Sequence, residues 1–119
     1  MVKLFGDLKV GDSIYWVHED KWNKIYVEEY KILDICTCGK NIKRICVKYH
    51  GSYWKISLKA TERSHQREDG SYFVMDEEGI KWAVRKRKEQ IINEFTKQID
   101  GIRKKMTDII LDDYEMLNI

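Results

Sequence analysis

Apolar and polar positions alternate in short runs up to about residue 76, and beyond it they recur at intervals of three and four. Period two marks half-buried strands, and the three-four repeat marks one face of a helix. In the first part, Leu8-Lys9-Val10-Gly11-Asp12 reads as a turn feeding a strand from Ser13 to His18, and Asp20 to Asn23 as the next turn. A longer strand follows, Lys24 to Ile35, with Ile25, Val27, Ile32, Leu33 and Ile35 as its apolar positions. Gly39-Lys40-Asn41 signals a hairpin returning along Ile42 to Tyr49. His50-Gly51-Ser52 turns the chain into Tyr53 to Leu58, and Ser71 to Met75 makes a last short strand. Ala60 to Gly70 is polar and charged, a loop of the length at which function becomes a common reason for its existence. The expectation is an α+β protein. Residues 1–76 form a small five-stranded antiparallel barrel or bent sheet, and residues 77–119 form one long C-terminal helix.

Asp76 suits the N-cap of that helix, and Glu77 and Glu78 suit its positive end. Some 40 residues of helix would extend about 60 Å, more than a small β domain can cover. Ile80, Ala83, Val84 and Ile91 form a stripe for packing on the β domain, with Trp82 at its margin. Ile92, Phe95, Ile99, Ile102, Met106 and Ile109 then keep the a/d spacing of a coiled coil. A fold-back at Asp100-Gly101 would make this stripe intramolecular core, but it would not need to preserve the register, which runs unbroken across Gly101. Lys81, Arg85, Lys86, Arg87 and Lys88 cluster near the helix start, and Asp108, Asp112, Asp113 and Glu115 near its end. That order opposes the helix macrodipole, yet it suits a second copy running antiparallel, each basic half beside an acidic half. An antiparallel homodimer crossing near Ile99 to Ile102 is expected, with dimer against trimer left open by the a and d residues.

The 119 residues suit one core-bearing domain, and eleven of the fourteen aromatics fall before residue 77. A net charge of +2 does not by itself demand a nucleic-acid partner. Three cysteines do not make a disulfide framework, no apolar run reaches the ~20 residues of a membrane span, and the N-terminal stretch breaks into charge too early for a signal peptide. These features point to a soluble protein of a reducing compartment, the cytoplasm, with no membrane partner.

Val10-Gly11-Asp12-x-Ile14-Tyr15 is similar to the opening strand of SH3-like small barrels. The step from Tyr72-Phe73-Val74 into Asp76-Glu77-Glu78 and a helix resembles that of small uncharacterised phage and bacterial proteins. The resemblance covers about a dozen positions and carries no catalytic residues. It implies an SH3-like fold and a viral accessory role in a host cytoplasm.

Candidate chemistry is sparse. Cys36, Cys38, Cys46 and His50 form the one metal-ligand series, chemically suited to a zinc-stabilised structural protein. A four-residue hairpin loop would pair Cys38 with Lys43 and send Cys46 to the opposite face, leaving buried free thiols as the alternative. No histidine accompanies a nucleophile motif, no phosphate-binding glycine motif exists, and Glu28-Glu29 would point to opposite faces of a strand. No enzyme and no cofactor is expected. Lys48, Tyr49, His50, Tyr53, Trp54, Lys55 and Lys59 interleave cations and aromatics as single-strand nucleic-acid binders do, with Arg63, His65 and Arg67 following. Tyr, Trp and Arg also dominate protein interfaces. The leading expectation is therefore a non-catalytic, homo-oligomeric protein-binding module, a phage-encoded inhibitor or sequestering factor in the viral setting. Its partner surface comprises Tyr49, Tyr53, Trp54, Lys55, Arg63, His65 and Arg67, with nucleic-acid binding as the alternative use of those groups.

Overall fold

The computed structural model describes residues 3–37 and 39–117, with the side chains of 107–117 outside the described set. The chain is α+β, with two antiparallel sheets and one C-terminal helix. Among the described residues seven strands are present: β1 Ser13–Glu19, β2 Ile25–Lys31, β3 Asp34–Thr37, β4 Ile42–Tyr49, β5 Ser52–Lys59, β6 Ser64–Gln66 and β7 Tyr72–Val74. They divide into a four-stranded sheet of order β2-β1-β7-β6 and a three-stranded sheet of order β3-β4-β5, which are not closed into one barrel.

Two departures from the sequence reading raise the strand count from five. The long strand Lys24 to Ile35 is broken at a corner. Ile32 donates its N–H to Asp12 in the first sheet at 2.8 Å, and Leu33 donates to Cys46 in the second at 2.8 Å. One peptide step thus carries the chain from sheet to sheet, with Ile32 buried and Leu33 exposed. The polar loop contains β6, three residues that pair with β7 through His65↔Phe73. The β4–β5 connection is a two-residue turn at His50 (φ 46°) and Gly51 (φ 82°), the positive-φ pair that matches strand twist in a tight hairpin.

Strand alternation gives β1 and β7 two buried faces. Ile14 and Phe73 point toward the three-stranded sheet and join Phe5, Ile45, Val47 and Leu58 in one core. Val17, Tyr72 and Val74 point the other way and pack on Ala83, flanked by Ile80 and Val84. The helix α1, Glu77–Leu117, starts where expected, because Asp76 Oδ1 accepts the Gly79 N–H at 2.7 Å. Trp82 sits at the margin, edge-on to Tyr72 at 5.3 Å. The helix runs unbroken through Gly101. By internal contacts the chain forms two compact units, Met1–Arg87 and Lys88–Ile119, so that residues 77–87 of α1 belong with the sheets. Among the described residues no helix is long and apolar enough to cross a membrane.

Candidate functional site

The inner face of the four-stranded sheet changes character along β1. Ile14 lies in the core, whereas Trp16 and His18, two and four residues further on, stand toward the open end between the sheets. Trp16 meets Trp54 of β5 edge-on at 5.1 Å, and Trp54 contacts Tyr49 and Phe73, each at 5.3 Å. His18 stacks on Trp16 at 3.9 Å. These rings fix one another, since edge-to-face pairs align ring edges with π faces.

Above this floor opens a cleft of about 290 Å³ lined by Trp16, Tyr49, Ser52, Tyr53, Trp54 and Arg67. Tyr53 borders it and is 72% accessible, on the other side of β5 from Trp54 by strand alternation. Arg67 lies with its guanidinium 4.8 Å from the centre of the Trp54 ring and 5.9 Å from that of Trp16, a cation held over two π faces. The turn after β6 positions it. Arg67 donates its N–H to Ser71 O at 2.8 Å and accepts from Gly70 N at 3.0 Å. Asp69 Oδ1 accepts the Ser71 N–H at 2.9 Å and its hydroxyl at 2.5 Å. Desolvation opposes ionisation of Asp69, but these two donors, with Arg67 and Arg87 nearby, outweigh it and hold the carboxyl below its usual value.

Beside the cleft, Tyr30 donates its hydroxyl to Glu28, and burial together with that carboxylate pushes the phenol well above its ordinary range. His18 Nε2 lies 3.7 Å from Glu28 Oε2. Trp16 Nε1 is buried without an acceptor. A buried donor left unmatched costs roughly 1–3 kcal/mol, so the cleft floor is not optimised for stability.

The structure gathers four of the seven predicted partner-site residues: Tyr49, Tyr53, Trp54 and Arg67. The other three lie elsewhere. Alternation along β5 sends Trp54 inward and Lys55 outward, to the far face of the three-stranded sheet. There Lys55, Asp34, Cys36, Arg44 and Cys46 line a depression of about 140 Å³. Arg63 is exposed in the turn before β6. His65 faces inward, its ring near-parallel to Phe73 at 6.5 Å, and burial lowers its pKa. Sequence reasoning missed Trp16 and Ser52. Trp16 carried a signal, being two residues from core-facing Ile14 and hence on the same side of a strand, but the residues that form the cleft with it are some 35 to 50 positions away.

The cysteine geometry also differs from expectation. Cys36 pairs with Arg44 and Asp34 with Cys46, a register one residue from the anticipated one, so Cys36 and Cys46 share a face. His50 lies in the turn just past the end of β4, four residues and roughly 13 Å along the chain from Cys46. Cys38 lies outside the described residues. Among those described, no three His, Cys, Asp or Glu side chains gather as a metal would require.

Along α1, Ile92, Phe95, Ile99, Ile102 and Met106 are all exposed, and Ile109 lies outside the described side chains. Arg87 departs from its basic neighbours. Its Nε donates to Glu19 Oε1 at 2.8 Å, with both side chains nearly buried. No family model, curated protein or solved structure matches this chain.

Proposed function

We propose that the chain is a non-catalytic protein-binding module that docks a partner at the aromatic cleft and pairs with a second copy through α1. The observation that carries this reading is the cleft itself: Trp16 and Trp54 set by ring contacts, rimmed by exposed Tyr53 and by Arg67. Tyr, Trp and Arg supply most of the energy in protein interfaces, and preset rings lose little freedom on binding. Of the cations that favoured a nucleic-acid strand, Lys48, Lys55 and Lys59 alternate onto the far face of the three-stranded sheet, away from the indole rings, and Arg63 lies in the turn before β6, leaving Arg67 as the cation of the cleft. A bound strand needs a row of cations beside its stacking platform.

The second copy is an antiparallel partner in a coiled coil, covering the exposed heptad positions and placing the early basic cluster beside acidic Asp108, Asp112, Asp113 and Glu115. The acidic side chains lie outside the described set, so the pairing rests on their order along the helix. In the viral setting that the resemblance implies, the dimer holds or inhibits a host factor. Selection of displayed random peptides on the immobilised protein, alongside Tyr53→Ala, tests the docking surface. Peptides enriched on the parent and lost on the variant are expected. Enrichment indifferent to Tyr53, or a parent that instead purifies with nucleic acid released by salt, would overturn it.

A further inference from the structure

We propose that the cleft recognises an acidic peptide segment, an Asp or Glu beside an aromatic side chain, presented by the partner protein. This deepens the protein-binding reading and rests on it. The cleft is lined by one cation, the Arg67 guanidinium, and by Tyr49 and Ser52, whose hydroxyls can donate to an anion; among the described residues no carboxylate shares the lining. A peptide carboxylate meets complementary charge at Arg67, while a flat apolar neighbour finds the rings of Trp54 and Tyr49.

Arg67 is prepared for this role. Its fork is planar by delocalisation, and its place between the two indole rings restrains the side chain, so less freedom remains to be lost on binding. Its intramolecular ion pair with Asp69 Oδ2 is long, 3.7 Å, and partly exposed. Asp69 is itself tied by Oδ1 to the Ser71 N–H and hydroxyl, and cannot follow Arg67 deeper into the cleft without releasing them. Several guanidinium N–H groups therefore stay available to a second, closer carboxylate. A volume of about 290 Å³ admits one or two side chains, which suits a short segment better than a folded surface.

The experiment is an NMR titration of the labelled full-length chain, following the four indole N–H signals. The probes are a blocked Glu-Phe-Asp tripeptide, its Gln-Phe-Asn counterpart and a short oligothymidylate. The acidic peptide should move the Trp16 and Trp54 signals and leave Trp22 and Trp82 in place. The amide peptide should bind at least about tenfold more weakly. Arg67→Gln should lose a similar factor, Arg67→Lys should recover part of it, and Arg63→Gln should bind like the parent. Unshifted Trp22 and Trp82 signals verify that each variant is folded. Equal binding of both peptides, or binding that survives Arg67→Gln, would sink the carboxylate assignment. Shifts produced by oligothymidylate alone would give the cleft to nucleic acid. Displayed peptides that depend on Tyr53 but carry no acidic residue would end this inference and leave the protein-binding reading standing. No Tyr53-dependent peptide at all would end both.

Discussion

Gly70 shows how one residue ties the cleft to the helix. Its φ is +90°, a conformation that glycine adopts freely, and a Cβ there would lie 2.6 Å from the Arg87 Cζ. Arg87 has no room to yield, since it is already committed to Glu19 and nearly buried. Gly70→Ala should therefore cost between about 1 and 3 kcal/mol, read as a lower urea midpoint at unchanged slope. A midpoint equal to the parent's would mean the turn is not held against Arg87. His65 supplies a pH dependence. Burial, aided by Arg67 and Lys59 and opposed by Glu62, lowers its pKa in the folded chain. The unfolded chain therefore takes up the proton first as pH falls. Stability is fully present above about pH 6.5, declines as pH drops below it, and levels off beneath the folded value. His65→Gln should flatten that part of the profile, measured by urea unfolding across the acid range; an unchanged profile would assign the dependence to other groups. At this scale Arg67, Tyr49, Tyr53 and Trp54 were legible because cation and aromatic types announce themselves. Lys55 was misplaced because type says nothing about which side of a strand a residue occupies.

Elements were legible in proportion to their length. The helix start at Asp76 and the hairpin turns could be read directly, because capping carboxylates and positive-φ residues act over three or four neighbours. The corner at Ile32 and Leu33 could not. An apolar run looks the same whether it stays in one sheet or passes to the next, and the two N–H groups that decide it bond to Asp12 and Cys46, both remote in sequence. β6 escaped for a related reason: three polar residues hold as a strand only because β7 lies beside them. For α1, Gly101 offers a discriminating substitution. Nothing lies within 4 Å of a Cβ placed there. Gly101→Ala should thus raise helix stability by about 0.5–1 kcal/mol in a lone helix. In the proposed dimer the same methyl group falls at the crossing and separates the helices. Greater helicity by circular dichroism, together with weaker self-association in sedimentation, is the expected pair of results. Ile99→Asp should give monomers outright, and a variant sedimenting like a parent dimer would take this face out of the interface.

At the scale of the β unit, β1 and β7 form a middle layer with apolar contacts on both sides: the three-stranded sheet on one, the first turns of α1 on the other. This accounts for a strand such as Tyr72–Val74 being buried throughout, without the alternation seen in β5. It also places the cleft on a well-supported floor, since Trp16 projects from the strand that both cores hold. The same order of strands has a consequence for synthesis. The β3-β4-β5 meander joins sequence neighbours and can assemble as soon as it leaves the ribosome. β7, the last strand made, must enter between β1 and β6, and Tyr15 waits for Val74 across almost sixty residues of chain. Until then β1 presents an unpaired edge with Trp16 and Val17 uncovered, the kind of edge along which nascent chains stick to one another. A message truncated before Tyr72 would therefore yield a chain prone to aggregate, and completion of a three-residue strand is what retires that hazard.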